Sequence, residues 1–481
     1  MSAASITAFD APNRKTLAQG HPTDWVSPQP KELYELVVVG GGPAGLTAAF
    51  TAAKAGHTVA VVERNLTGGT CVNFGCTPSK ALLRAARAVF QARDGAKFGY
   101  TLDATPRVDF AAVMNRVREM RAASSSADAV SVAAGAGIDV FLGQARFIGR
   151  NTIEVDGRCL KFAKALIASG SGPTVPNLPG LTTAAYLTNE TVFELTELPR
   201  RLVCLGGGTV NCELAQAFRR LGSEVHLVGS ADRLIPGEAP AASAVLTARL
   251  LAEGVRLHLG VMATRVDGQR QCLTLSDGSE LEYDALLIAA GRRVNVEGMG
   301  LETAGVEFSA AGVEADDHLR TTNPTVYAAG DVARPEKFTH AAIASAKLAV
   351  ANALDEAGQR FTDLVIPRCT YTDPEVAQVG ITPQEATERA ITIDTHRLEL
   401  AKVERAVIDG EADGFIALYT HEGVIVGATF VSAHAGESLP LLTLAVMRKL
   451  TPADLAAVIH CYPTQVEAIQ RVAIQASSRA S

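Results

Sequence analysis

Two cysteines in the segment GGTCVNFGCTPSKALLRAA have the side chains best suited to chemistry: Cys71 and Cys76, with Lys80 one helical turn further on. No second cysteine pair follows at the spacing of a zinc site, so a structural metal centre is not indicated. At the start of a helix, the helix dipole and Lys80 would lower a thiol pKa and favour the thiolate that thiol–disulfide exchange requires. The spacing therefore favours a redox pair, and two buried free cysteines are the alternative.

A glycine cluster lies in the first structural unit that we expect to position these thiols. Gly40, Gly42 and Gly45 form a G-x-G-x-x-G motif between an apolar strand and a helix. Such glycines allow a tight turn and bring the backbone close to a pyrophosphate at the helix N-terminus. Glu63 ends the next strand, about 20 residues further on, where an acid accepts hydrogen bonds from ribose hydroxyls. The segment is predicted to be a dinucleotide-binding βαβ unit.

The same order of strand, glycines and helix returns in RLVCLGGGTVNCELAQAFRRLGSEVHLVGSADR. Gly206 and Gly208 take the first two glycine positions, and Asn211 stands where the third glycine belongs. A side chain at that position would crowd the helix against the strand unless the turn opens slightly. Two units of this kind predict two bound dinucleotides.

The end of the strand VHLVG bears on the choice of nicotinamide cofactor. Gly229 and Ser230 replace the usual carboxylate, which removes the acceptor for the ribose diol and leaves room for a 2′-phosphate near Arg233. This pattern favours NADP(H) over NAD(H). The alternative interpretation of Arg233 is a solvated surface charge.

Length and composition place these units in a large globular protein. A chain of 481 residues corresponds to about three domains. Its 44 basic and 51 acidic residues give a formal charge of −7, which argues against nucleic acid or anionic lipid as a partner. Eight cysteines are too few for a disulfide-rich secreted scaffold, and we expect a cytoplasmic protein. The uncharged segment 36–53 contains the glycine cluster and is not expected to span a membrane.

Four motifs together resemble the class I flavoprotein disulfide reductases: GGTCVNFGCTPSK, GGGPAG, GGGTVNCELAQAF and TTNPTVYAAGDVA. The likeness runs from about residue 34 to the end of the chain. Lipoamide dehydrogenases, glutathione reductases and mercuric reductases share these motifs. Within the family, CVNFGCTPSKALLRAA and ELAQAFRRLG are most similar to the mercuric reductases.

The resemblance implies an α/β fold with two Rossmann-like dinucleotide-binding domains, one for FAD and one for NAD(P)H, and a C-terminal α+β dimerisation domain. Asp331 would hold the ribityl and phosphate region of FAD, and Thr70 is a further candidate for cofactor contact. The expected bounds are residues 1–33 for an N-terminal arm on the surface, 34–190 and 292–355 for the FAD-binding domain, 191–291 for the NAD(P)H-binding domain, and 361–481 for the dimerisation domain.

The resemblance also implies roles for the polar residues around the two thiols. Hydride from the nicotinamide would reach the flavin, which would reduce the cysteine pair. Cys76 would become the thiolate that faces the flavin, and Cys71 would be the thiol that meets the substrate. Lys80, paired with Glu213, would lie beside the flavin ring. For Glu213 alone, a surface acid on a helix is the alternative.

The C-terminal segment His460-Cys461-Tyr462-Pro463-Thr464 departs from the family pattern. Members that reduce organic disulfides have histidine where Tyr462 stands, followed by a glutamate that corresponds to Glu467. A phenol, with an ordinary pKa near 10, is a poor base at neutral pH. One interpretation of Tyr462 is an aromatic residue that only packs at an interface. His460 could be a displaced base or a hydrogen-bonded packing residue. Cys461 is expected to be a buried structural cysteine.

The motifs and the resemblance together predict an FAD-dependent NAD(P)H oxidoreductase that is similar to the mercuric reductases, and the resemblance alone implies a homodimer. Its acceptor would be a thiol-bound soft metal ion such as Hg(II), with Cys71 and Cys76 as transient metal ligands. This sequence does not show the terminal pair of cysteines usual in mercuric reductases, so mercury delivery would need other thiols. Cys461 could be one of them, because the resemblance implies that its segment reaches Cys71 of the partner subunit. A reductase of a small-molecule or protein disulfide is the first alternative, and a non-catalytic flavin-binding interaction protein is the second.

Overall fold

The computed structural model describes residues 6, 10–104 and 106–478. The predicted arm is therefore described only in part, because residues 1–5 and 7–9 lie outside these ranges. Residue 105 and the last three residues, 479–481, also lie outside them. Across these ranges we find no helix with the length and apolar character needed to cross a membrane.

The first nucleotide-binding unit is built on a seven-stranded sheet. Its strands are β1 (Tyr34–Val39), β2 (Val59–Glu63), β3 (Asp139–Leu142), β4 (Arg146–Gly149), β5 (Thr152–Val155), β6 (Arg158–Ile167) and β18 (Val326–Ala328). Their order is β3-β2-β1-β6-β5-β4, with β18 paired to β6. Because β1, β2, β6 and β18 are parallel, the residues that follow them meet at one edge of the sheet. The glycine cluster, Glu63 and Asp331 reach this edge.

Alanine-rich helices cover this sheet. The helix α2 (Pro43–Lys54) packs against α10 (Thr339–Leu354). Ala48, Ala49 and Ala52 of α2 are fully buried. Small side chains let the two helices approach each other and the sheet closely, which fixes the first turn of α2 over the strand ends.

The second unit has a four-stranded parallel sheet in the order β10-β9-β8-β14. These strands are β8 (Arg201–Leu205), β9 (Glu224–Gly229), β10 (Arg256–Leu259) and β14 (Ala285–Ile288), and the helices are α7 (Thr209–Leu221) and α8 (Pro240–Ala252). A three-stranded antiparallel sheet lies beside it, formed by β11 (Ala263–Asp267), β12 (Cys272–Leu275) and β13 (Glu280–Glu282). Both nucleotide-binding patterns of the sequence thus form strand–turn–helix units.

Short elements link the two units. They are the strand pairs β7 (Ser171–Pro173) with β15 (Arg292–Val294) and β16 (Phe308–Ser309) with β17 (Gly312–Val313), and the helix α9 (Leu301–Ala304). A helical layer joins the units more extensively, since α4 (Cys76–Arg93) packs against both α5 (Phe110–Ser124) and α7. Leu82, Phe110 and Phe218 share one buried core in this layer. The packing of α4 on α7 brings Lys80 to Glu213.

The C-terminal part is an antiparallel sheet covered by helices. Its strands, in the order β19-β20-β23-β22-β21, are β19 (Arg368–Thr370), β20 (Glu375–Gly380), β21 (Asp394–Glu399), β22 (Phe415–His421) and β23 (Val424–Ser432). The helices are α11 (Pro383–Glu388), α12 (Glu404–Ile408), α13 (Ala435–Met447), α14 (Pro452–Ala456) and α15 (Glu467–Ser477). Together with the two nucleotide-binding units, this α+β part confirms the expected fold class.

The N-terminal segment differs from the expected surface arm. It contains a helix, α1 (Ala11–Gly20), that packs against α5 and α6 (Val130–Gly135). Asn13, Thr16 and Gly20 are buried in this contact. The expectation of a surface arm was therefore wrong for residues 11–20. The segment is polar and carries no apolar period, so its packing was not visible in the sequence.

Candidate active site

A cavity of about 980 Å³ lies between the two nucleotide-binding units. Among the residues that sequence analysis singled out, its wall contains Gly40, Gly42, Glu63, Thr70, Cys71, Cys76, Lys80, Gly208, Glu213 and Asp331. Outside its wall are Gly45, Gly206, Ser230, Arg233, Tyr462 and Glu467. At least one glycine of each motif therefore shares this site with the two thiols.

A break between two helices sets the geometry of the thiols. The helix α3 (Gly69–Phe74) carries Cys71, and α4 begins at Cys76 immediately after Gly75. A Cβ atom at Gly75 would lie 2.9 Å from the carbonyl oxygen of Thr70, so only glycine fits where the chain folds back. Both cysteines are reduced in the structure. The Cys71 thiol hydrogen-bonds to Cys76, and the Thr339 Oγ1 lies 3.4 Å from the Cys76 Sγ.

The two thiols have opposite acidities. The hydrogen bond from Cys71 lowers the pKa of Cys76 to about 6, and Thr339 and the charge of Lys80 act in the same direction. The pKa of Cys71 is raised because its proton is shared with Cys76 and because the thiol is desolvated. At neutral pH, Cys76 is therefore the thiolate and Cys71 the thiol. These protonation states are the ones needed if Cys76 faces the flavin and Cys71 meets the substrate.

This acidity predicts the pH dependence of alkylation. We expect the rate at which iodoacetamide modifies Cys76 to rise through about pH 6 and to level off below pH 8, because only the thiolate reacts. Mass spectrometry of the modified peptide measures this rate. Replacing Cys71 by Ala removes the largest cause of the low pKa, so the midpoint should move up towards the ordinary thiol value near 8.5. An unchanged midpoint in Cys71→Ala would contradict the hydrogen-bonding explanation.

Lys80 and Glu213 meet at the cavity, although 133 residues separate them. The Lys80 Nζ lies 2.7 Å from the Glu213 Oε2, and the Glu213 side chain is only 4% exposed. The backbone amide of Tyr371 donates to the Glu213 Oε1 at 2.8 Å, and the centre of the Tyr371 ring lies 4.5 Å from the Lys80 Nζ. A buried carboxylate of this kind is retained because it is paired and hydrogen-bonded. Tyr371 was missed because nothing in its local sequence marks it.

The first glycine motif has the tight geometry expected of a phosphate-binding turn. Gly40 has a φ of +109°, and a Cβ atom there would lie 2.4 Å from the Ala168 carbonyl oxygen. A Cβ atom at Gly45 would lie 1.7 Å from the carbonyl oxygen of Gly40. Gly42 is the N-cap residue of α2, provides no side-chain cap and lines the cavity. The N-terminus of α2 is thus open towards the space where a pyrophosphate would lie.

Glu63 lies beside this turn at the end of β2. Its two carboxylate oxygens accept hydrogen bonds from the backbone amides of Gly41, at 2.5 Å, and Asn65, at 2.6 Å. Burial raises the pKa of Glu63, and the two amides act against that rise. A carboxylate has about four acceptor positions, so capacity remains for ribose hydroxyls at the cavity wall.

Asp331 belongs to a polar cluster in the cavity wall. The Ser171 hydroxyl donates to the Asp331 Oδ2 at 2.5 Å, and the Arg292 Nε lies 3.4 Å from the same oxygen. Arg292 also donates to the Ser171 hydroxyl oxygen at 2.7 Å. Sequence analysis assigned no role to Ser171 or Arg292. Both follow strands that close on glycine in the cavity wall, which was the available signal.

The second glycine motif accommodates its asparagine. Gly206 has a φ of +121°, and a Cβ atom there would lie 2.4 Å from the Ala289 carbonyl oxygen. The Asn211 side chain is fully buried, and its Nδ2 donates to the carbonyl oxygen of Gly206 at 2.9 Å. The larger side chain therefore folds back onto the turn and bonds to it.

Arg233 has partners that the sequence did not indicate. Its guanidinium donates to the carbonyl oxygens of Pro236, at 2.6 Å, and Glu238, at 3.1 Å, and to the Gln384 Oε1 at 2.7 Å. The residue is thus neither a solvated charge nor an uncommitted phosphate ligand. Ser230, the residue after β9, is exposed.

The C-terminal segment lies outside the cavity of its own chain. Tyr462 is 67% exposed, and Glu467 begins α15. Cys461 is exposed in the single chain, so the expectation of a buried cysteine was wrong there. The His460 Nδ1 lies 3.0 Å from the Val458 carbonyl oxygen, as in the hydrogen-bonded alternative. No cluster of three or more potential metal ligands occurs in the part of the chain that the structure describes.

Comparisons with known proteins agree with this architecture. Residues 34–351 match the family model of the pyridine nucleotide-disulphide oxidoreductases, and residues 366–473 match the model of that family's dimerisation domain. The mercuric reductase of Streptomyces lividans is 37% identical over 453 residues, which cover 92% of this chain and 95% of that protein. The dihydrolipoyl dehydrogenase of Chlamydia muridarum is 33% identical over 450 residues, with coverages of 91% and 95%.

A solved structure is similar over almost the same length. The HOCl-induced flavoprotein disulfide reductase RclA from Escherichia coli superposes with a TM-score of 0.82 at 27% identity, covering 92% of this chain and 99% of that chain. A Cu(II) complex of the same protein superposes equally well. The chain therefore belongs to the pyridine nucleotide-disulphide oxidoreductase family, whose members are enzymes that depend on FAD and a pyridine nucleotide.

Proposed function

We propose that this enzyme passes electrons from NADPH, through FAD and the Cys71–Cys76 pair, to a thiol-bound soft metal ion such as Hg(II). The choice of acceptor rests on Tyr462, which stands where disulfide-reducing members have a histidine base. Reduction of Hg(II) to the metal consumes two electrons and no proton, so it needs no such base. The likeness to mercuric reductases supports the same acceptor.

The cavity fits FAD on the side of the first unit. Gly40 and Gly42 leave backbone open at the N-terminus of α2, and Glu63 and Asp331 place carboxylates on its wall. FAD supplies the two-electron transfer between a nicotinamide and a disulfide. The open α2 terminus would hold the pyrophosphate, Glu63 the adenosine ribose, and Asp331 the ribityl and phosphate region.

The chain's own residues divide the remaining tasks. Cys76 is the thiolate that is kept ionised by the Cys71 hydrogen bond and by Lys80. Glu213 holds Lys80 at the cavity. Cys71 is the thiol for the acceptor, and its sulfur displaces one small thiolate from Hg(II), which leaves with the Cys71 proton. Cys76 displaces the second thiolate, so both metal–sulfur bonds are exchanged without change of oxidation state before the electrons arrive.

Reduction of a small disulfide is the second candidate, favoured by one observation at His460. Because the Val458 carbonyl can only accept, the His460 Nδ1 carries the proton, and the buried Nε2 is the ring nitrogen that could accept one. That Nε2 has no hydrogen-bond partner among the described residues. The dihydrolipoyl dehydrogenase relatives are consistent with this chemistry.

An acceptor panel separates the two candidates. We expect steady NADPH consumption with Hg(II) in excess small thiol, and at most a tenth of that rate with lipoamide or glutathione disulfide. Cu(II) in the same thiol buffer tests the breadth of the metal class. Replacing Tyr462 by His should raise the rate with organic disulfides about a hundredfold, because it restores a base of suitable pKa. Good turnover of the wild-type protein with disulfides alone, lost in His460→Ala, would establish the second candidate instead.

The preference for NADP(H) is proposed from the missing carboxylate, without a role for Arg233 as a phosphate ligand. Replacing Ser230 by Glu places a negative charge at the strand end and should shift the kcat/KM ratio towards NADH by about tenfold or more. Arg233→Ala should lower kcat/KM for both cofactors by similar factors, because the guanidinium holds the 236–238 loop. A loss confined to NADPH in Arg233→Ala would show that Arg233 does contact the 2′-phosphate.

A further inference from the structure

The N-terminal helix α1 is attached to the segment that carries the two cysteines. It precedes the part of the chain that matches the family model, which begins at residue 34. The carbonyl oxygen of Gly20 accepts from the Thr67 amide at 3.0 Å, and the His21 Nδ1 lies 2.5 Å from the Asn65 carbonyl oxygen. These contacts reach the chain between β2 and α3.

Apolar side chains continue the attachment onto α3. Ile6, Leu66 and Phe74 form a small buried cluster, and Leu17 of α1 packs against it. Phe74 lies between the two cysteines in the sequence and ends α3. The N-terminal segment therefore supports the last turn of the helix that carries Cys71.

A buried charge links α1 to the same turn. Arg121 of α5 is fully buried, and its Nη2 pairs with the Glu194 Oε1 at 2.7 Å. The same Nη2 donates to the Asn13 Oδ1, and the Asn13 Nδ2 donates to the Glu194 Oε2 at 2.7 Å. A buried ion pair tolerates desolvation only when its remaining donors and acceptors are satisfied. Asn13 satisfies one atom of each partner.

The second terminal nitrogen of Arg121, Nη1, contacts the backbone between the two cysteines. Its Nη1 donates to the Asn73 carbonyl oxygen at 3.3 Å, and the Asn189 Nδ2 donates to the Phe74 carbonyl oxygen at 3.2 Å. These are carbonyls at the end of α3, which lack partners within the helix. The break at Gly75 is thus held by two side chains from distant elements, and Asn13 in turn holds Arg121.

We propose that the N-terminal segment is a brace for the redox loop, and that Asn13 and Arg121 are positioning residues for the Cys71–Cys76 pair. The proposal rests on that pair being redox-active. A disulfide forms only within a narrow range of sulfur positions, so a loop held at its break favours closure. In the reaction used to measure this, one glutathione disulfide oxidises the Cys71 and Cys76 thiols to the protein disulfide and is reduced to two glutathione molecules. Removing contacts of the brace should lower the equilibrium constant of this reaction.

The test measures this equilibrium in the full-length holoenzyme. Wild-type protein and Asn13→Ala are equilibrated without oxygen in glutathione buffers, and the free thiols are trapped and counted by mass spectrometry. We expect the constant to fall about fivefold or more in Asn13→Ala, within the range for residues that couple two sites. Leu17→Ala, which trims the apolar contact, should shift it in the same direction. If Asn13→Ala does not fold, Leu17→Ala decides.

Gln19→Ala is the matched control, because Gln19 also lies on α1 but its side-chain oxygen accepts from the hydroxyl of Ser125, the residue after α5, at 2.6 Å. Its constant should equal that of the wild type, even if its melting temperature falls. If Asn13→Ala and Leu17→Ala both have the wild-type equilibrium constant for oxidation by glutathione disulfide, the proposed brace is wrong. A wild-type protein that forms no disulfide in any buffer would instead contradict the proposed redox pair.

Discussion

Replacing Cys71 by Ser is expected to reduce turnover of the metal acceptor by about a thousandfold or more, the scale seen when a group that reacts directly is removed. A hydroxyl neither ligates a soft metal well nor forms a disulfide. It can still donate a hydrogen bond to Cys76, so the thiolate at that position should persist. The variant should therefore bind FAD and lose its flavin absorbance on addition of NADPH, but fail to pass the electrons on.

Stopped-flow absorbance checks both halves of this expectation. The rate of flavin reduction by NADPH should stay within about twofold of the wild type, since Cys71 acts after that event. Cys159→Ser is the matched control, because Cys159 is an exposed thiol on β6 and lies outside the cavity wall. Its turnover should be unchanged. Undiminished turnover in Cys71→Ser would remove the thiol from the proposed route of electrons.

The local motifs were the part of the fold that the sequence predicts best. A strand, a glycine turn and a helix are specified by residues within about 30 positions, and the steric demands at Gly40 and Gly206 allow no other residue type. The pairing of Lys80 with Glu213 depends instead on how α4 packs against α7. Local patterns do not encode that packing, and only the family resemblance indicated it.

The N-terminal helix shows why the rest was not predicted. Asp10 caps α1 through the Asn13 amide, and Pro12 lies in its first turn, so start signals for a helix were present. The buried side of the helix consists of polar or small residues, and hydrophobic periodicity does not detect such a face. Its burial depends on the ion pair between Arg121 and Glu194, which joins two distant elements.

The position of the C-terminal segment relative to the cavity could not be predicted from local sequence patterns. Tyr462 and Glu467 do not line the cavity of their own chain. Residues 366–473 match the family's dimerisation domain, which is consistent with a homodimer. The resemblance would bring Tyr462 to Cys71 of the partner subunit. The absence of a histidine at this position is readable from sequence, but its effect depends on that assembly.

Replacing Gly45 by Ala should have the largest effect on FAD binding of any single methyl group added at the first glycine motif. The new Cβ atom would lie 1.7 Å from the carbonyl oxygen of Gly40, so α2 must move away from β1. Overpacking of this kind costs about 3 kcal/mol. If that cost falls on the bound state, it weakens FAD binding by about two orders of magnitude.

The ratio of flavin to protein absorbance after purification measures the loss, and titration of the apoprotein with FAD gives the affinity. Gly135→Ala is the control, because a Cβ atom at Gly135, in α6, meets nothing within 4 Å. That variant should retain full FAD and be slightly more stable, since alanine is favoured over glycine in a helix. Full FAD content in Gly45→Ala would mean that α2 can shift without opening the pyrophosphate site, and the close approach of helix and strand would then not be what fixes the cofactor.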